Sequence, residues 1–469
     1  MPGFHVEHFG CRAARADGEA LSARLSAAGL AEADLRASEL VVVNTCSVTA
    51  EADRAARAFI RRAHRLNPAA RIVVTGCYAQ RAPQELASLP GVRAVVGNSH
   101  KALAPEIALG LIGGSRPAAG SELVSITPAP QGAVAPPQVA QVVFADDRFA
   151  HSFLEDAPLV PGTQTRPNLK IQEGCSNRCA FCVIPQTRGP SKSLPAASVL
   201  RQVESFVAAG SRELVLSGIN LGRWGRDLEA ADGLRGRSLA ALVRRIFECT
   251  SLERLRLSSV EPMDWDDELI ALMSEFGGRR LCRHAHLPLQ SGSDAVLRRM
   301  FRRYRPWHYA AKVQALLCAA GRDLTLGADV MVGFPGESDC EFEETLAFLR
   351  ALPFGYLHLF PFSPRPGTAG WALHAASPVP AAVVTERMAR LRALAAEMML
   401  AHRRSFVGRT FPAITLRTPA EVASRNRTAA LTENFLHVDL NGSFAANQLV
   451  QARVASIDRD GRLEADKIL

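Results

Sequence analysis

Apolar and polar positions fall into three rhythms along the chain. In the first hundred residues, short apolar runs end in polar loops. LVVVNTCSVT from position 40 reads as a buried strand running into a loop, and RIVVTGCYAQ from 71 repeats the plan. Between them, ADRAARAFIRRAHRLNP spaces Ala, Phe and Ile at helical intervals with Arg on the other face, and Pro68 ends it. Strand, helix, strand predicts an α/β unit, in which loops at the carboxyl ends of parallel strands receive ligands. FHVEHFG, alternating apolar and polar, is the candidate first strand.

The second rhythm begins after a Pro/Gly-rich tract at 113–165 (GGSRPAAG, TPAPQGAVAPPQ, VPGTQTRP) with little periodicity, read as a linker. From 168 to about 400, the apolar runs NLKIQ, ELVLSGIN, RLRLSSVEP, HAHLPLQSG, LTLGADVMVGFPG and YLHLFPFS alternate with helical stretches. That alternation predicts a parallel sheet or barrel, and six strands suit a partial barrel better than an eightfold one. The third follows the helix TERMARLRALAAEMMLAHRRSF. FPAITLRT, LHVDL and LVQARVASID predict a small antiparallel β module. The division is 1–115, a linker at 116–160, a core at 161–404 and a tail at 405–469.

A chain of 469 residues is long enough for about three domains at roughly 150 residues each. With 48% hydrophobic and 22% charged residues it can bury a sizeable core, which excludes wholesale disorder. The run of ~18 apolar residues that a membrane span needs is missing, as is a basic-then-apolar leader, so no membrane is expected and the reading is soluble and cytoplasmic. The net charge of +9 favours an acidic partner such as nucleic acid. Only five of the 55 basic residues are Lys, a skew that points to codon usage more than to chemistry.

Ten cysteines in such a chain argue for metal ligation or catalysis over disulfides. Cys175, Cys179 and Cys182 crowd into EGCSNRCAFCVIP. Their C-x3-C-x2-C spacing, with Phe181 before the last Cys, offers three soft thiolates in one loop, suited to an iron–sulfur cluster. Three thiolates on a four-iron cluster leave one iron open. An open iron can chelate the amino and carboxylate groups of S-adenosylmethionine, and an electron passed through it would break a carbon–sulfur bond. The alternative is a structural zinc site, which wants four ligands and usually two Cys pairs. Cys11, Cys46 and Cys77 each fall just past a predicted strand, so they converge at one sheet edge or else are small buried hydrophobes. Cys249, Cys282, Cys318 and Cys340 have no partner at ligand spacing.

At EGCSNRCAFC the chain resembles the radical S-adenosylmethionine superfamily. With GC at 10–11, NTCSVT at 44–49 and TGCYAQ at 75–80, the resemblance narrows to the methylthiotransferases and covers essentially the whole chain. KIQEGC at 170–175, VTGCYAQ at 74–80, LSGIN at 216–220, LPLQSGS at 287–293 and VMVGFPGE at 330–337 are most similar to the branch acting on N6-threonylcarbamoyladenosine at position 37 of tRNA, which makes its 2-methylthio derivative. The resemblance implies an α/β fold: an N-terminal methylthiotransferase domain, a partial (β/α)6 radical barrel and a TRAM-like antiparallel β barrel. It implies two 4Fe-4S clusters, a radical-generating one on Cys175, Cys179 and Cys182 and an auxiliary one on Cys11, Cys46 and Cys77. It also implies S-adenosylmethionine, a tRNA carrying the threonylcarbamoyl group, and an electron donor such as flavodoxin or ferredoxin.

Around the cofactor, Phe181, Gly218, Glu261, Gln290, Val332 and Gly333 are the candidate contacts, with Glu261 placed to bond ribose hydroxyls. RRMFRRYR at 298–305 is the candidate RNA contact: Arg298, Arg299, Arg302, Arg303 and Arg305 for phosphates and Tyr304 for stacking, unless the run is a solvated helix face. The tail carries eight basic against seven acidic side chains, so any RNA grip there rests on shape. One departure stands out: the family's first motif has Asn three residues after its cysteine, where this chain has Ala14. The rivals are the same chemistry on isopentenyladenosine or on a ribosomal-protein Asp, and a non-enzymatic RNA-binding protein whose metal staples loops.

Overall fold

The computed structural model describes residues 2–113, 142–152, 165–228 and 238–468. The first sheet is parallel and has six strands in the order β2-β1-β3-β4-β5-β6: β1 Gly3–His8, β2 Ala31–Glu32, β3 Leu40–Thr45, β4 Arg71–Gly76, β5 Val92–Gly97 and β6 Val142–Phe144. Every residue of β3 is buried, as expected for a central parallel strand covered on both faces. Helix α1 (Arg12–Ala27) follows β1, and α2 (Ala50–Leu66) follows β3. The Thr49 hydroxyl accepts the Ala52 N–H and caps α2, which stops two residues before Pro68.

Most of the segment 116–160, expected to be a linker, lies outside the described residues. Its part at 142–152 is not a tether. Val142, Val143 and Phe144 form an apolar triplet that pairs with the open edge of β5, and the His151 N–H donates to the Ser99 carbonyl.

The core holds six parallel strands: β7 Asn168–Glu173, β9 Glu213–Gly218, β10 Arg254–Leu257, β11 His284–His286, β12 Thr325–Val332 and β13 Phe354–Pro361. Lys192–Ser193 adds an antiparallel edge, β8. They form two sheets, β10-β9-β7-β8 and β11-β12-β13, joined by single bridges at Leu255–Leu281 and Ser259–His286. This is the partial barrel that six apolar runs predicted. Leu214, Leu216, Leu255, Leu257, Ala285, Leu326, Ala328 and Val330 share one apolar cluster under the helices. The positions between them, Glu213, Arg254, Arg256, His284, His286 and Asp329, face the interior instead, so the lumen is polar.

The tail forms a closed barrel of β14 Thr410–Thr415, β15 Arg427–Thr432, β16 His437–Asn441, β17 Leu449–Ile457 and β18 Leu463–Ile468. Its pairings are antiparallel except β16 with β18, which run parallel where an all-antiparallel module was expected. The barrel docks on the core through buried charge. Glu213 accepts from Arg254 Nε at 2.6 Å and Arg256 Nε at 3.0 Å, and the outer nitrogens of those guanidiniums reach the carbonyls of Pro412, Leu431 and Thr432. Among the described residues no helix is long and apolar enough to cross a membrane.

Candidate active site

β1, β3 and β4 are neighbours in the first sheet, and each delivers one cysteine from its carboxyl end. Gly10 precedes Cys11 at φ +110°, and a Cβ there would come within 2.6 Å of the Cys46 Cβ. Gly76 precedes Cys77 at φ +98°, and a Cβ there would meet the Thr45 carbonyl oxygen at 2.3 Å. Both glycines are therefore required for the three loops to close on one another. Cys77 opens a one-turn helix, α3 (Cys77–Arg81), and is buried like Cys46, whereas Cys11 is exposed. Where the family has Asn, Ala14 is buried, and the amide of Asn44 at the end of β3 donates to its carbonyl.

Burial pushes the Cys46 thiol up to about 12, and the neighbouring Cys77 and Cys11 charges add to it. Three thiolates so placed need a cation among them. Cys77 already has two donors, Arg188 Nε at 3.2 Å and Asn98 Nδ2 at 3.4 Å. Arg188 comes from the core, at the end of the helix Ile184–Arg188, and its side chain is fully buried. It pairs with Asp17 of α1 at 3.1 Å and Glu173 of β7 at 2.5 Å. Lys101 pairs with the same two carboxylates at 2.8 and 3.1 Å, and Lys170 joins both. Burial alone would raise the Glu173 carboxyl; Arg188, Lys101 and Lys170 overcome it and hold it well below the usual range. Three cations thus face two carboxylates, and the surplus positive charge points at Cys77.

The second trio sits in the loop after β7. Cys175 receives the Asn177 N–H at 3.4 Å and Asn220 Nδ2 at 3.6 Å, and Cys179 receives Arg302 Nη1 at 3.2 Å. Burial pushes Cys182 up to about 12 as well. Among the described residues, neither trio brings its three sulfurs all within 4.8 Å of one another. Around one tetrahedral zinc they would lie about 3.7 Å apart. The all-thiolate donor set fits a multinuclear cluster, and sulfur-directed N–H groups are what such a cluster uses.

Orphaned polar atoms gather at the strand ends nearby. Ser217 Oγ, Asn220 Oδ1, Ser258 Oγ and Gln290 Oε1 are buried without partners at or just past the carboxyl ends of β9, β10 and β11. A polar cofactor is the complement they lack. Gln290 is held at φ +70°, strained for a residue with a side chain, as is common at ligand sites. Gly218 closes β9, where a Cβ would press within 2.8 Å of Gln172. Gly333, at φ +75°, gives its N–H to Glu337 at 2.8 Å. Phe181 packs with Met300 and Phe334 beside the loop.

The Val332 side chain lies in the apolar cluster under the helices, and its carbonyl accepts the Phe362 N–H. One oxygen of Glu261 is held by Arg302 at 2.5 Å, so any further donor would share the carboxylate with that guanidinium. RRMFRRYR is no single RNA face. Phe301 at φ +58° turns the chain, so Arg302 and Tyr304 point inward, and Tyr304 bonds the carbonyls of Pro288 and Leu289 at 2.6 Å. Arg298 and Arg305 pair with Asp294, and Arg299 with Glu341. Phe301 and Arg303 stay exposed.

Residues 3–97 match the uncharacterized protein family UPF0004, and residues 169–349 the radical SAM superfamily. The threonylcarbamoyladenosine tRNA methylthiotransferase MtaB of Bacillus subtilis (strain 168) is 34% identical over 443 residues, 94% of this chain and 90% of that one. The chain belongs to the radical S-adenosylmethionine methylthiotransferases. It is a transferase, and the metal-stapled, non-enzymatic alternative falls away. Identity is also 34% with the tRNA-2-methylthio-N(6)-dimethylallyladenosine synthase of Sorangium cellulosum (strain So ce56), over 87% of this chain and 81% of that one. Among solved structures, the radical S-adenosylmethionine methyltransferase TsrM from Kitasatospora setae superposes with a TM-score of 0.54 at 17% identity, covering 79% of this chain and 77% of that one, a likeness of fold alone. Methylthiotransferases use two 4Fe-4S clusters and S-adenosylmethionine, and this one has two cysteine trios and a set of unpartnered buried polar atoms at the strand ends to match.

Proposed function

We propose that this methylthiotransferase replaces hydrogen by a methylthio group at carbon 2 of N6-threonylcarbamoyladenosine 37 in tRNA. The observation that carries the reading is the pairing of two thiol trios, one built by the first sheet and one by the loop after β7, on a polar lumen. When bound, the clusters and the cofactor supply the one-electron chemistry and the sulfur needed at an unactivated aromatic carbon.

The chain's own residues do the rest. Cys175, Cys179 and Cys182 would hold the cluster that binds S-adenosylmethionine, with Arg302 and Asn220 donating to its sulfurs. Cys11, Cys46 and Cys77 would hold the auxiliary cluster, with Arg188 balancing its charge. Gly218, Gln290 and Gly333 would border the cofactor, and Phe181 would pack beside it. Phe301 and Arg303, with the closed β barrel, would meet the tRNA. The interior side chains His286, Asp329, Tyr356 and His358 suit a base bearing a polar amino-acid group better than an apolar isopentenyl one. The reductant would be a flavodoxin or ferredoxin, and the compartment the cytoplasm.

Isopentenyladenosine is the second reading, supported by the equal identity to the Sorangium synthase. Mass spectrometry of tRNA nucleosides from a strain lacking the gene, beside the complemented strain, separates them. The expected result is loss of 2-methylthio-N6-threonylcarbamoyladenosine with accumulation of its unthiolated precursor. Loss of 2-methylthio-isopentenyladenosine instead would move the substrate and keep the chemistry.

A further inference from the structure

Three adjacent strands of the core present an imidazole, a carboxylate and an imidazole at one level of the lumen. His286 of β11 brings Nε2 to 3.2 Å from Asp329 Oδ1 on β12, and His358 of β13 brings Nδ1 to 3.2 Å from the same oxygen. All three ligand atoms lie within 4.8 Å of one another. Register enforces the arrangement: Asp329 is paired directly with His358, and His286 with Gly327, two residues before Asp329 on the same face. Gly327 is needed there, because a Cβ would lie 2.0 Å from the Tyr356 ring that crosses over it. Tyr356 uses the passage to put its hydroxyl 3.1 Å from His286 Nδ1 and 2.8 Å from His284 Nε2.

We propose that His286, Asp329 and His358 bind a divalent metal ion distinct from the iron–sulfur clusters. Ligand bonds of about 2.1 Å would subtend roughly 100° across a 3.2 Å edge, between tetrahedral and octahedral angles. Two imidazoles and one carboxylate leave further positions open, and His358 and Asp329 keep those positions accessible from the lumen. Tyr356 fits the role of the outer partner that fixes a ligating imidazole: accepting the His286 Nδ1 proton leaves Nε2 with its lone pair toward the ion. The site also adjoins Gln290, one of the orphaned polar residues, since the Gln290 N–H donates to the Asp329 carbonyl at 2.7 Å.

The test is a manganese titration of the full chain with its clusters reconstituted, followed by room-temperature EPR of the free aqua ion. Mn2+ prefers nitrogen and oxygen ligands over thiolates, which keeps the cysteine sites out of the readout. The expected result is one saturable equivalent that zinc displaces. Binding should weaken at least tenfold in Asp329→Asn and in His358→Ala, whose exposed side chain can be removed without disturbing the core, while iron content stays that of the parent. No saturable equivalent in the parent, or the same equivalent in both variants, overturns the proposal.

Discussion

The two thiol trios reach similar chemistry by opposite routes. The loop trio is local: eight consecutive positions hold all three thiols, and spacing alone nearly defines it. The sheet trio is assembled from residues 11, 46 and 77, and its geometry exists only once β1, β3 and β4 have paired in order. Each trio has one guanidinium on a sulfur, Arg302 on Cys179 and Arg188 on Cys77, but the settings differ. Arg302 leans on Glu261, whose side chain is 23% exposed, whereas Arg188 sits among four other charged groups of which none exceeds 6%. A site built from distant strands carries more of the fold's stability than a site carried by one loop.

Replacing Cys175, Cys179 and Cys182 together with Ala should abolish cofactor cleavage and leave about half of the iron, at the sheet trio. Loss of all iron would mean the trios are not independent. Next in size, Arg188→Met should cost on the order of 3 kcal/mol in denaturant unfolding, because Glu173 and Asp17 lose a buried partner that solvent cannot replace. Arg302→Met should cost less, about 1–2 kcal/mol, since water can reach Glu261. Equal losses in the two variants would erase the contrast.

Away from both trios, Glu213 supplies a third buried charge cluster. Burial raises its carboxyl, but Arg256, Arg254 and Arg166 outweigh that and bring it to about 2. A carboxyl depressed on folding stabilises above its unfolded value, and that contribution, on the order of 3 kcal/mol, is lost as pH falls from about 4.5 toward 2. Unfolding midpoints measured down this range should fall steeply, and Glu213→Gln should flatten the slope. The smallest effect belongs to the proposed tRNA face: Phe301→Ala should weaken tRNA binding by about 1 kcal/mol in a filter or fluorescence assay, with the melting temperature unchanged.

What the sequence disclosed follows the same division. The six core strands were legible because each is an apolar run of strand length, and the loop trio because cluster chemistry constrains spacing. Cys11, Cys46 and Cys77 could be placed at strand ends, but their convergence needed the order β1-β3-β4. Arg188 had no local signal, since its partners Asp17 and Cys77 lie 171 and 111 residues away. RRMFRRYR misled because a charge run reads as one solvated face only while the helix continues. The left-handed Phe301 ends that regularity and sends Arg302 and Tyr304 inward.

The buried group of Asp17, Lys101, Lys170, Glu173 and Arg188 has a consequence for how the protein comes into being. Asp17 and Lys101 are made early in translation and, within this group, can satisfy only each other until residues 170 to 188 have been added. The charged group beside the first sheet is therefore completed only with the core, and Cys77 gains its guanidinium partner late. The two parts should mature and melt as one cooperative unit rather than as separate beads on a string.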